Sequence, residues 1–229
     1  MESEILLSTQ NISHSFYLSK TASVRALDNL SFEIRRGEIY GLVGESGSGK
    51  STAARCVMNL VKPQSGHIFY KGIDITDPKQ FAAKKRLLQT SRQMIFQDST
   101  SSLNGRMKVA DIIAEPMRVG AKLTDDEIDA RVAELLVNVG MRPDDMYKFA
   151  YEFSGGQRQR VGIARALSVR PEFILCDEPI SALDVSIQAQ VVNMLEDLQQ
   201  QMGLTYLFVA HDLSMVRHIS TRIGVMYLG

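Results

Sequence analysis

Nine consecutive residues decide the fold, and they read Gly44-Glu45-Ser46-Gly47-Ser48-Gly49-Lys50-Ser51-Thr52. The apolar run at residues 39–43 precedes them and predicts a buried strand, and residues 53–60 follow with a helical pattern. Strand, glycine-rich turn, Lys-Ser pair and helix in this order indicate a phosphate-binding loop rather than an ordinary Gly/Ser turn. Its backbone N–H groups and the helix N-terminus would face an anion.

Two side chains of this loop have chemistry that suits a nucleoside triphosphate. Lys50 can reach the β- and γ-phosphates, and the Ser51 hydroxyl can ligate Mg²⁺. The loop therefore predicts a nucleotide site with a divalent cation.

Composition excludes several classes of protein. The chain has 229 residues, 45% of them apolar and 23% charged, with a formal net charge of zero. A zero net charge gives no sign of a nucleic-acid footprint over the whole surface. No apolar run approaches the length that spans a bilayer, and the acidic start of the chain does not have a signal-peptide pattern. Cys56 and Cys176 form no C-x-x-C pair, so we expect two core thiols.

Strand and helix patterns alternate along most of the chain, which predicts a mostly parallel sheet covered by helices. Residues 5–43 alternate as strands, and residues 109–139 are helical, with a capping box at Thr124. The remaining predicted elements are a helix at 80–88, a strand at 93–96, a helix at 155–169, a strand at 172–176, a helix at 187–202 and strands at 204–210 and 223–227.

Two carboxylates, Asp177 and Glu178, end the apolar strand that begins at Phe173. Ligands of open α/β sheets bind at the carboxyl ends of strands. Asp177 suits outer-shell Mg²⁺ coordination, and Glu178 is placed to polarise an attacking water as a general base. A strand end with two solvated acids is the simpler alternative, and the phosphate-binding loop argues against it.

A second anion site is predicted at Ser154, Gly155, Gly156 and Gln157. Ser154 can cap the following helix, and the glycines expose its N–H groups. Because the chain already has one phosphate loop, this second phosphate-binding site, called the anion grip below, would contact a nucleotide held by another subunit. Without the other motifs, a plain helix cap would be the better interpretation.

These stretches together resemble the ATP-binding cassette (ABC) ATPases over essentially the whole chain. The resemblance is closest to the ATPase subunits of oligopeptide, dipeptide and nickel importers. It rests on residues 44–52, 94–98, 102–104, 152–160, 176–190, 203–208 and 225–229. It implies an α/β P-loop NTPase with a RecA-like core and a mostly parallel sheet, an N-terminal antiparallel β subdomain and an inserted α-helical subdomain. ATP and Mg²⁺ are the implied cofactors.

The resemblance also implies residue roles. Phe16 would stack on adenine, and residues 44–52 would all bind ATP. The implied catalytic residues are Glu178, His211 and Gln97, and the implied metal ligands are Ser51, Gln97 and Asp177. Asp184 would communicate across a dimer, and residues 154–157 would contact the ATP of the second subunit. Read alone, Gln97, His211, Asp184 and Phe16 would be a loop amide, a solvated histidine, a helix cap and a core aromatic.

The expected domain organisation is a single ATPase domain over residues 1–229. Residues 1–97 and 156–229 would form the ATP-binding core with its β subdomain, and residues 98–155 the helical subdomain. The sequence ends where relatives of this family continue, so we expect it to lack their C-terminal extension. It departs from the family pattern at Phe153, usually Leu, and at residues 98–105, which lack prolines and should face the membrane partner.

The predicted function is ATP hydrolysis that drives solute uptake by a peptide-type ABC importer. The implied partners are a second ATPase subunit, identical or paralogous, the transmembrane permease subunits and, indirectly, an extracytoplasmic solute-binding protein; no nucleic acid is expected. Permease subunits would hold the chain at the cytoplasmic face of the membrane. The alternative is a soluble ABC ATPase of DNA repair or translation. Only 57 positions separate Gln97 from Ser154, without sustained heptads, which argues against the coiled-coil insertion of DNA-maintenance relatives.

Overall fold

The computed structural model describes residues 4–19, 22–97, 103–120 and 123–229. Its strands are β1 (Ile5–Tyr17), β2 (Ser23–Arg35), β3 (Ile39–Gly44), β4 (Ser65–Tyr70), β5 (Ile73–Asp74), β6 (Arg92–Ile95), β7 (Phe173–Asp177), β8 (Thr205–Ala210) and β9 (Arg222–Met226). Its α-helices are α1 (Lys50–Val57), α2 (Pro78–Ala83), α3 (Lys85–Ser91), α4 (Val109–Gly120), α5 (Asp125–Asn138), α6 (Gly155–Leu167), α7 (Val185–Met202) and α8 (Leu213–Ile219). Short 3₁₀ helices lie at Pro143–Tyr147 and Ala150–Glu152.

The chain forms two compact units. One contains the residues up to Leu88 together with Thr205–Gly229, and the other contains Gln89–Leu204. This division does not follow the boundaries at 97/98 and 155/156 that the sequence predicts, and those boundaries stay a prediction. The segment 98–102, with which the predicted helical subdomain begins, lies outside the described residues.

The first unit contains the antiparallel β subdomain that the resemblance implies. Its strands lie in the order β2-β1-β4-β5. The paired residues Thr9 and Phe32 on β1 and β2 are held by the Thr9 hydroxyl, which accepts the Phe32 N–H at 2.9 Å. Apolar side chains of these strands, including Leu7, Ile12 and Leu27, are fully buried. Burial of apolar area on this scale is the main free-energy gain that orders such a sheet.

The same unit contains three parallel strands in the order β8-β3-β9. The β3 residues Ile39–Val43 are all buried, as a continuous apolar run predicts for a parallel strand covered on both faces. Val43 pairs with Ala210 on β8, and Gly44 pairs with Met226 on β9. The carboxyl ends of the three strands therefore meet at one edge, from which the phosphate-binding loop begins.

The second unit combines a parallel strand pair, β6 and β7, with helices α4 to α7. Helix α5 begins with the predicted capping box, in which Thr124 Oγ1 accepts the Glu127 N–H and the Glu127 carboxylate accepts the Thr124 N–H. The Thr124 N–H and the Thr124 hydroxyl both donate to the Glu127 carboxylate, at 2.8 and 3.0 Å, which favours its charged form and lowers the pKa of this carboxyl. Helix α7 ends at Gly203, whose φ of +64° suits a left-handed C-terminal turn.

Several predicted element boundaries differ from the structure, and three of these differences concern helix ends. The helix after the phosphate loop begins at Lys50 rather than at residue 53, because Gly49 is its N-cap. The helix predicted at 80–88 is two helices, separated at Lys84, whose φ and ψ of −119° and 15° are not helical. Helix α6 ends at Leu167 rather than at residue 169, because Ser168 Oγ donates to the Arg165 carbonyl and Arg170 has a φ of +53°.

Both cysteines are free thiols in the core, as the sequence predicted. Burial raises the pKa of Cys56 to about 11, and burial with the neighbouring Asp177 charge raises that of Cys176 further. Thiols with raised pKa values are poor nucleophiles and poor metal ligands, so neither cysteine takes part in the chemistry considered below. Within the described ranges, no helix combines the length and apolar character that crossing a bilayer requires.

Candidate functional site

The phosphate-binding loop follows β3 directly and ends at the first residue of α1. Lys50 Nζ donates to the carbonyl oxygens of Gly44 and Glu45, at 2.8 Å each, and the side chain is only 5% exposed. The ammonium group is thus held across the loop by two carbonyls at its start. This places a buried positive charge beside the turn whose N–H groups the sequence assigns to an anion.

Glycine is required at two positions of this loop. Gly49 has a φ of +100°, and a Cβ built there would lie 2.1 Å from the Ala26 carbonyl oxygen. A Cβ on Gly44 would lie 2.3 Å from the Met226 carbonyl oxygen. The loop backbone therefore packs directly against β2 and the end of β9, which only glycine permits.

The loop also contains oxygen donors that a phosphate-bound cation could use. Ser51 lies in the first turn of α1 and is exposed, and Thr52 next to it is half-buried. The buried Ser48 hydroxyl has no hydrogen-bond partner among the described residues. A backbone cradle, a buried lysine and spare hydroxyls fit a phosphate group, and serine hydroxyl oxygen is a ligand type that Mg²⁺ accepts.

His211 lies at the same strand edge as the loop. It follows Ala210, the last residue of β8 and the register partner of Val43, so His211 and Gly44 each lie one residue beyond this pair. The next residue, Asp212, caps α8 through a 2.8 Å bond from the Ser214 N–H to its carboxylate. This cap sets the direction of the chain just after the histidine.

Phe16 lies near the end of β1 and is 42% exposed. Its neighbour Tyr17 is also exposed, so the simpler expectation of a core aromatic is not met. The first unit therefore contains Phe16, the phosphate loop and His211, the last two at one strand edge.

In the second unit, the structure brings Gln97 to Glu178. Ile95 on β6 pairs with Cys176 on β7, and Gln97 and Glu178 each lie two residues further along. Gln97 Nε2 donates to Glu178 Oε2 at 2.8 Å, although 81 positions separate the two residues. The amide and the carboxylate, both predicted to be catalytic, are thus direct neighbours.

Glu178 has a left-handed backbone, with a φ of +45°. A residue with a side chain adopts this region at a cost, and such residues concentrate at functional sites. The Ser181 hydroxyl and backbone N–H both donate to the Glu178 carbonyl, at 3.1 and 3.3 Å, which helps to hold the turn. Asp177, one residue earlier, is 7% exposed at the end of β7.

The predicted second anion site is a well-formed helix start. Ser154 is the N-cap of α6; its hydroxyl accepts the Gln157 N–H at 3.3 Å, and the Gln157 side chain accepts the Ser154 N–H at 3.0 Å. Since the Ser154 hydroxyl acts as an acceptor in this cap, its own proton is left to donate to an incoming anion. A Cβ on Gly156 would lie 2.8 Å from Ile187 Cγ2, so the start of α6 packs closely on α7.

Asp184 precedes α7 and is its N-cap residue by position, but its side chain does not make the capping hydrogen bond. The carboxylate is exposed, which leaves it accessible to another chain.

Two residues that the sequence analysis missed stabilise the turn before Asp184 and the packing of α6. Gln188 Nε2 donates to the carbonyls of Ile180 and Leu183, at 3.1 and 3.0 Å, and so fixes the turn before Asp184. Arg160 on α6 donates to the Val139 carbonyl at 2.6 Å and to Gln190 Oε1 on α7 at 3.3 Å. Neither residue has a local pattern that predicts these long-range partners.

The side chains predicted to bind a metal ion are oxygen donors. Among the described residues, no group of three or more His, Cys, Asp or Glu side chains is placed to hold a metal ion. The predicted ligands Ser51, Gln97 and Asp177 instead offer a hydroxyl, an amide and a carboxylate. These are hard oxygen donors, which suit Mg²⁺ completed by phosphate oxygens and water rather than an all-protein metal cage.

Comparison with known proteins identifies the family of this chain. The family model described as ABC transporter matches residues 27–181. The chain is 53% identical to the putative oligopeptide transport ATP-binding protein YkfD of Bacillus subtilis, over 98% of this chain and 68% of that protein. It is 50% identical to the dipeptide transport ATP-binding protein DppF of Lactococcus lactis, over 100% of this chain and 73% of that protein.

Solved structures agree with this assignment. The ATP-binding cassette MJ0796, a dimer in a post-hydrolysis state with ADP and Pi, matches with a TM-score of 0.85 and 26% identity, over 97% of this chain and 95% of that one. The protein cbiO1 of Clostridium perfringens, part of the transporter complex cbiONQ, matches with a TM-score of 0.84 and 27% identity, over 99% and 86% of the two chains.

Proposed function

Because the chain belongs to the ABC transporter family, in which it matches ATP-binding subunits, we propose that it hydrolyses ATP to drive the uptake of peptides. The main structural support for ATP hydrolysis is the 2.8 Å hydrogen bond between Gln97 and Glu178, which lie just beyond the ends of two paired parallel strands. The peptide class rests on relatives at 50–53% identity whose names give oligopeptide or dipeptide transport.

In the proposed reaction, the phosphate loop holds the triphosphate of ATP. Its backbone N–H groups and Lys50 contact the β- and γ-phosphates, and Phe16 stacks on the adenine. Mg²⁺, held by Ser51, Gln97 and Asp177, would neutralise phosphate charge. Preorganised donors at the point where charge develops usually supply the largest part of such catalysis.

Glu178 is the proposed general base. A water oxygen bonds to the γ-phosphorus while one of its protons passes to the Glu178 carboxylate. The bond from that phosphorus to the β–γ bridging oxygen breaks, and ADP leaves with the electron pair. Gln97 orients the water, and His211 donates a hydrogen bond to the γ-phosphate. A positioned base of this kind contributes about 10² to 10⁴ in rate.

The second anion grip is proposed to act on a partner subunit. The phosphate loop already supplies one chain with a cradle for one triphosphate, so Ser154, Gly155, Gly156 and Gln157 fit the ATP of the other. Asp184, with its uncommitted carboxylate, would face the same interface. The similar cassette MJ0796 was solved as a dimer, which supports this arrangement.

The remaining proposed partners are permease subunits in the membrane and, through them, an extracytoplasmic solute-binding protein. They would keep the chain at the cytoplasmic face. A soluble ATPase of DNA repair or translation is not favoured, because the relatives reported above carry transport names.

Copurification tests the transport assignment. We expect the tagged chain to recover hydrophobic permease subunits from detergent-solubilised native membranes. Its Mg-ATPase activity in that complex should rise with peptide-loaded binding protein. Recovery of nucleic acid or ribosomes instead, with ATPase stimulation by DNA or RNA, would support the alternative.

A further inference from the structure

Two aromatic rings lie together at the end of β1. His14 and Phe16 are two residues apart, so they lie on the same face of the strand. Their ring centroids are 4.7 Å apart and the ring planes meet at 73°, an edge-to-face arrangement. On the neighbouring strand, His14 faces Leu27 and Phe16 faces Val24.

The strand opposite these rings touches the phosphate loop. The Ala26 carbonyl on β2 lies so close to Gly49 that a Cβ there would be 2.1 Å away. Ala26 directly precedes Leu27, the partner of His14. The hairpin that carries both rings is therefore anchored on the backbone that would hold the phosphates of a nucleotide.

The two rings differ in their exposure. His14 Nδ1 is buried and has no hydrogen-bond partner among the described residues. Phe16, by contrast, is 42% exposed and open to a ligand. His14 is thus the inner ring of the pair and Phe16 the outer one.

We propose that His14 is a positioning residue for the nucleotide base, which fixes the plane of the Phe16 ring against which adenine stacks. This inference rests on the proposed function, since it assumes that ATP binds and that Phe16 is its base platform. A ring that is already fixed loses less conformational freedom when the base binds. The cost of ordering one freed side chain on binding corresponds to about a two- to tenfold change in affinity.

The experiment compares two ligands, both with Mg²⁺: ATP, and inorganic tripolyphosphate, which has no base. His14→Leu preserves buried apolar volume but removes the aromatic edge, and His14→Phe preserves the edge. We expect His14→Leu to weaken ATP binding by about two- to tenfold. Tripolyphosphate affinity should not change, and His14→Phe should bind both ligands like the unmodified chain.

Coupling to Phe16 gives the second readout. Phe16→Ala should weaken ATP but not tripolyphosphate, and adding His14→Leu to it should cause no further loss. His67→Leu, a histidine on β4 of the same sheet, is the matched control and should leave both affinities unchanged.

Three outcomes would overturn the role of His14. The first is that His14→Leu weakens the binding of ATP and of tripolyphosphate equally. The second is that His14→Leu and His14→Phe weaken ATP binding equally. The third is that the losses of ATP affinity in the two single variants add up fully in the double variant. Failure of the proposed function is separate. Phe16→Ala without any effect on ATP would remove the base platform, and Lys50→Ala without effect on either ligand would remove the phosphate site.

Discussion

Glu178 combines a proposed chemical role with an unusual backbone. Its φ of +45° turns the chain sharply after β7, and Gln97 donates to its carboxylate. A carboxylate that accepts a hydrogen bond from an amide is held in a defined direction. The sharp turn and the amide together hold one oxygen in place, and the other can face a water.

At this scale, Glu178→Gln should retain ATP binding but lose turnover. The amide keeps the size and polarity of the side chain but cannot accept the proton of water, so we expect kcat to fall by about 10² to 10⁴. Phosphate release under saturating Mg-ATP measures the effect. Glu134→Gln on α5 is the control and should keep full activity. A loss smaller than threefold in Glu178→Gln would remove this residue from the role of base.

Lys50→Ala should act on binding itself. The ammonium is buried against two loop carbonyls, and its removal deletes a charge-assisted contact with phosphate worth about 1.5–3 kcal/mol, or roughly 10- to 100-fold in affinity. Titration with a fluorescent ATP analogue measures it, with Lys62→Ala as an exposed control. Unchanged affinity would mean that the backbone cradle alone holds the nucleotide.

At the scale of elements, the start of α6 depends on its close approach to α7. The cap at Ser154 orients the helix, and Gly156 lets it pack against Ile187. Arg160 adds a second connection, through Gln190 on α7. The exposed N–H groups of the proposed anion grip therefore take their position from helix packing as well as from the local cap.

Gly156→Ala should destabilise the protein, whereas Gly162→Ala in the same helix should not. Alanine gains up to about 1 kcal/mol over glycine in a helix, but overpacking costs about 1–3 kcal/mol. The added Cβ would lie 2.8 Å from Ile187 Cγ2 at position 156, whereas at position 162 no described atom outside the helix's own neighbouring backbone lies within 4 Å. Urea unfolding compares the two variants. Ile187→Ala combined with Gly156→Ala should recover part of the loss, and equal stability of the single variants would contradict the packing argument.

The 3₁₀ segment before α6 provides a pH test. Burial of Asp145 opposes ionisation, but hydrogen bonds from the Lys148 side chain and the Arg142 N–H outweigh it and lower the pKa of this carboxyl. The pKa of this carboxyl is lower in the folded state than in the unfolded state, where it is about 4. Its charge therefore stabilises the folded protein at pH values above about 4, and this contribution is lost as pH falls through the folded-state pKa.

Asp145→Asn should therefore cost about 1–3 kcal/mol of unfolding free energy at pH 7, and this difference should shrink below about pH 4. Denaturant unfolding of both proteins between pH 3 and 7 gives the comparison. Asp144→Asn is the exposed control, since its carboxylate lies 3.8 Å from Arg142 at the surface. A difference that is constant across the range would mean that the charge of Asp145 is not what stabilises the turn.

At the scale of the whole molecule, the chain belongs to a family that includes ATP-binding subunits of transporters. Each chain has one phosphate loop and one proposed anion grip. Two chains can combine these parts to hold two ATP molecules, which is the arrangement proposed above.

A nucleotide-dependent dimer is the corresponding prediction. Glu178→Gln with saturating ATP should sediment as a dimer, because hydrolysis is blocked and both anion grips can contact ATP. ADP has no γ-phosphate and should not support the dimer. Adding Ser154→Arg should abolish the dimer but leave ATP binding to the monomer intact. The measurement should extend to high protein concentration. If Ser154→Arg weakens monomer binding as much as Lys50→Ala does, the grip acts within one chain.

The sequence by itself determined the local elements of this protein. The phosphate loop, the buried strands β3 and β7 and the caps at Thr124 and Ser154 depend on residues within a few positions of one another, so periodicity and turn chemistry predict them. The resemblance to ABC ATPases follows from the same short stretches, and the family match confirms it. Roles of single residues, from Phe16 to His211, stay predictions.

Only the tertiary structure decided which distant side chains meet. The bond of Gln97 to Glu178 follows from the pairing of Ile95 with Cys176, and the bond of Arg160 to Gln190 follows from the packing of α6 on α7. Local pattern also failed at helix ends, as at Ser168, where a hydroxyl bonds back to the preceding turn. The physical reason is that strand register and close packing are properties of the assembled core, which no short window of sequence contains.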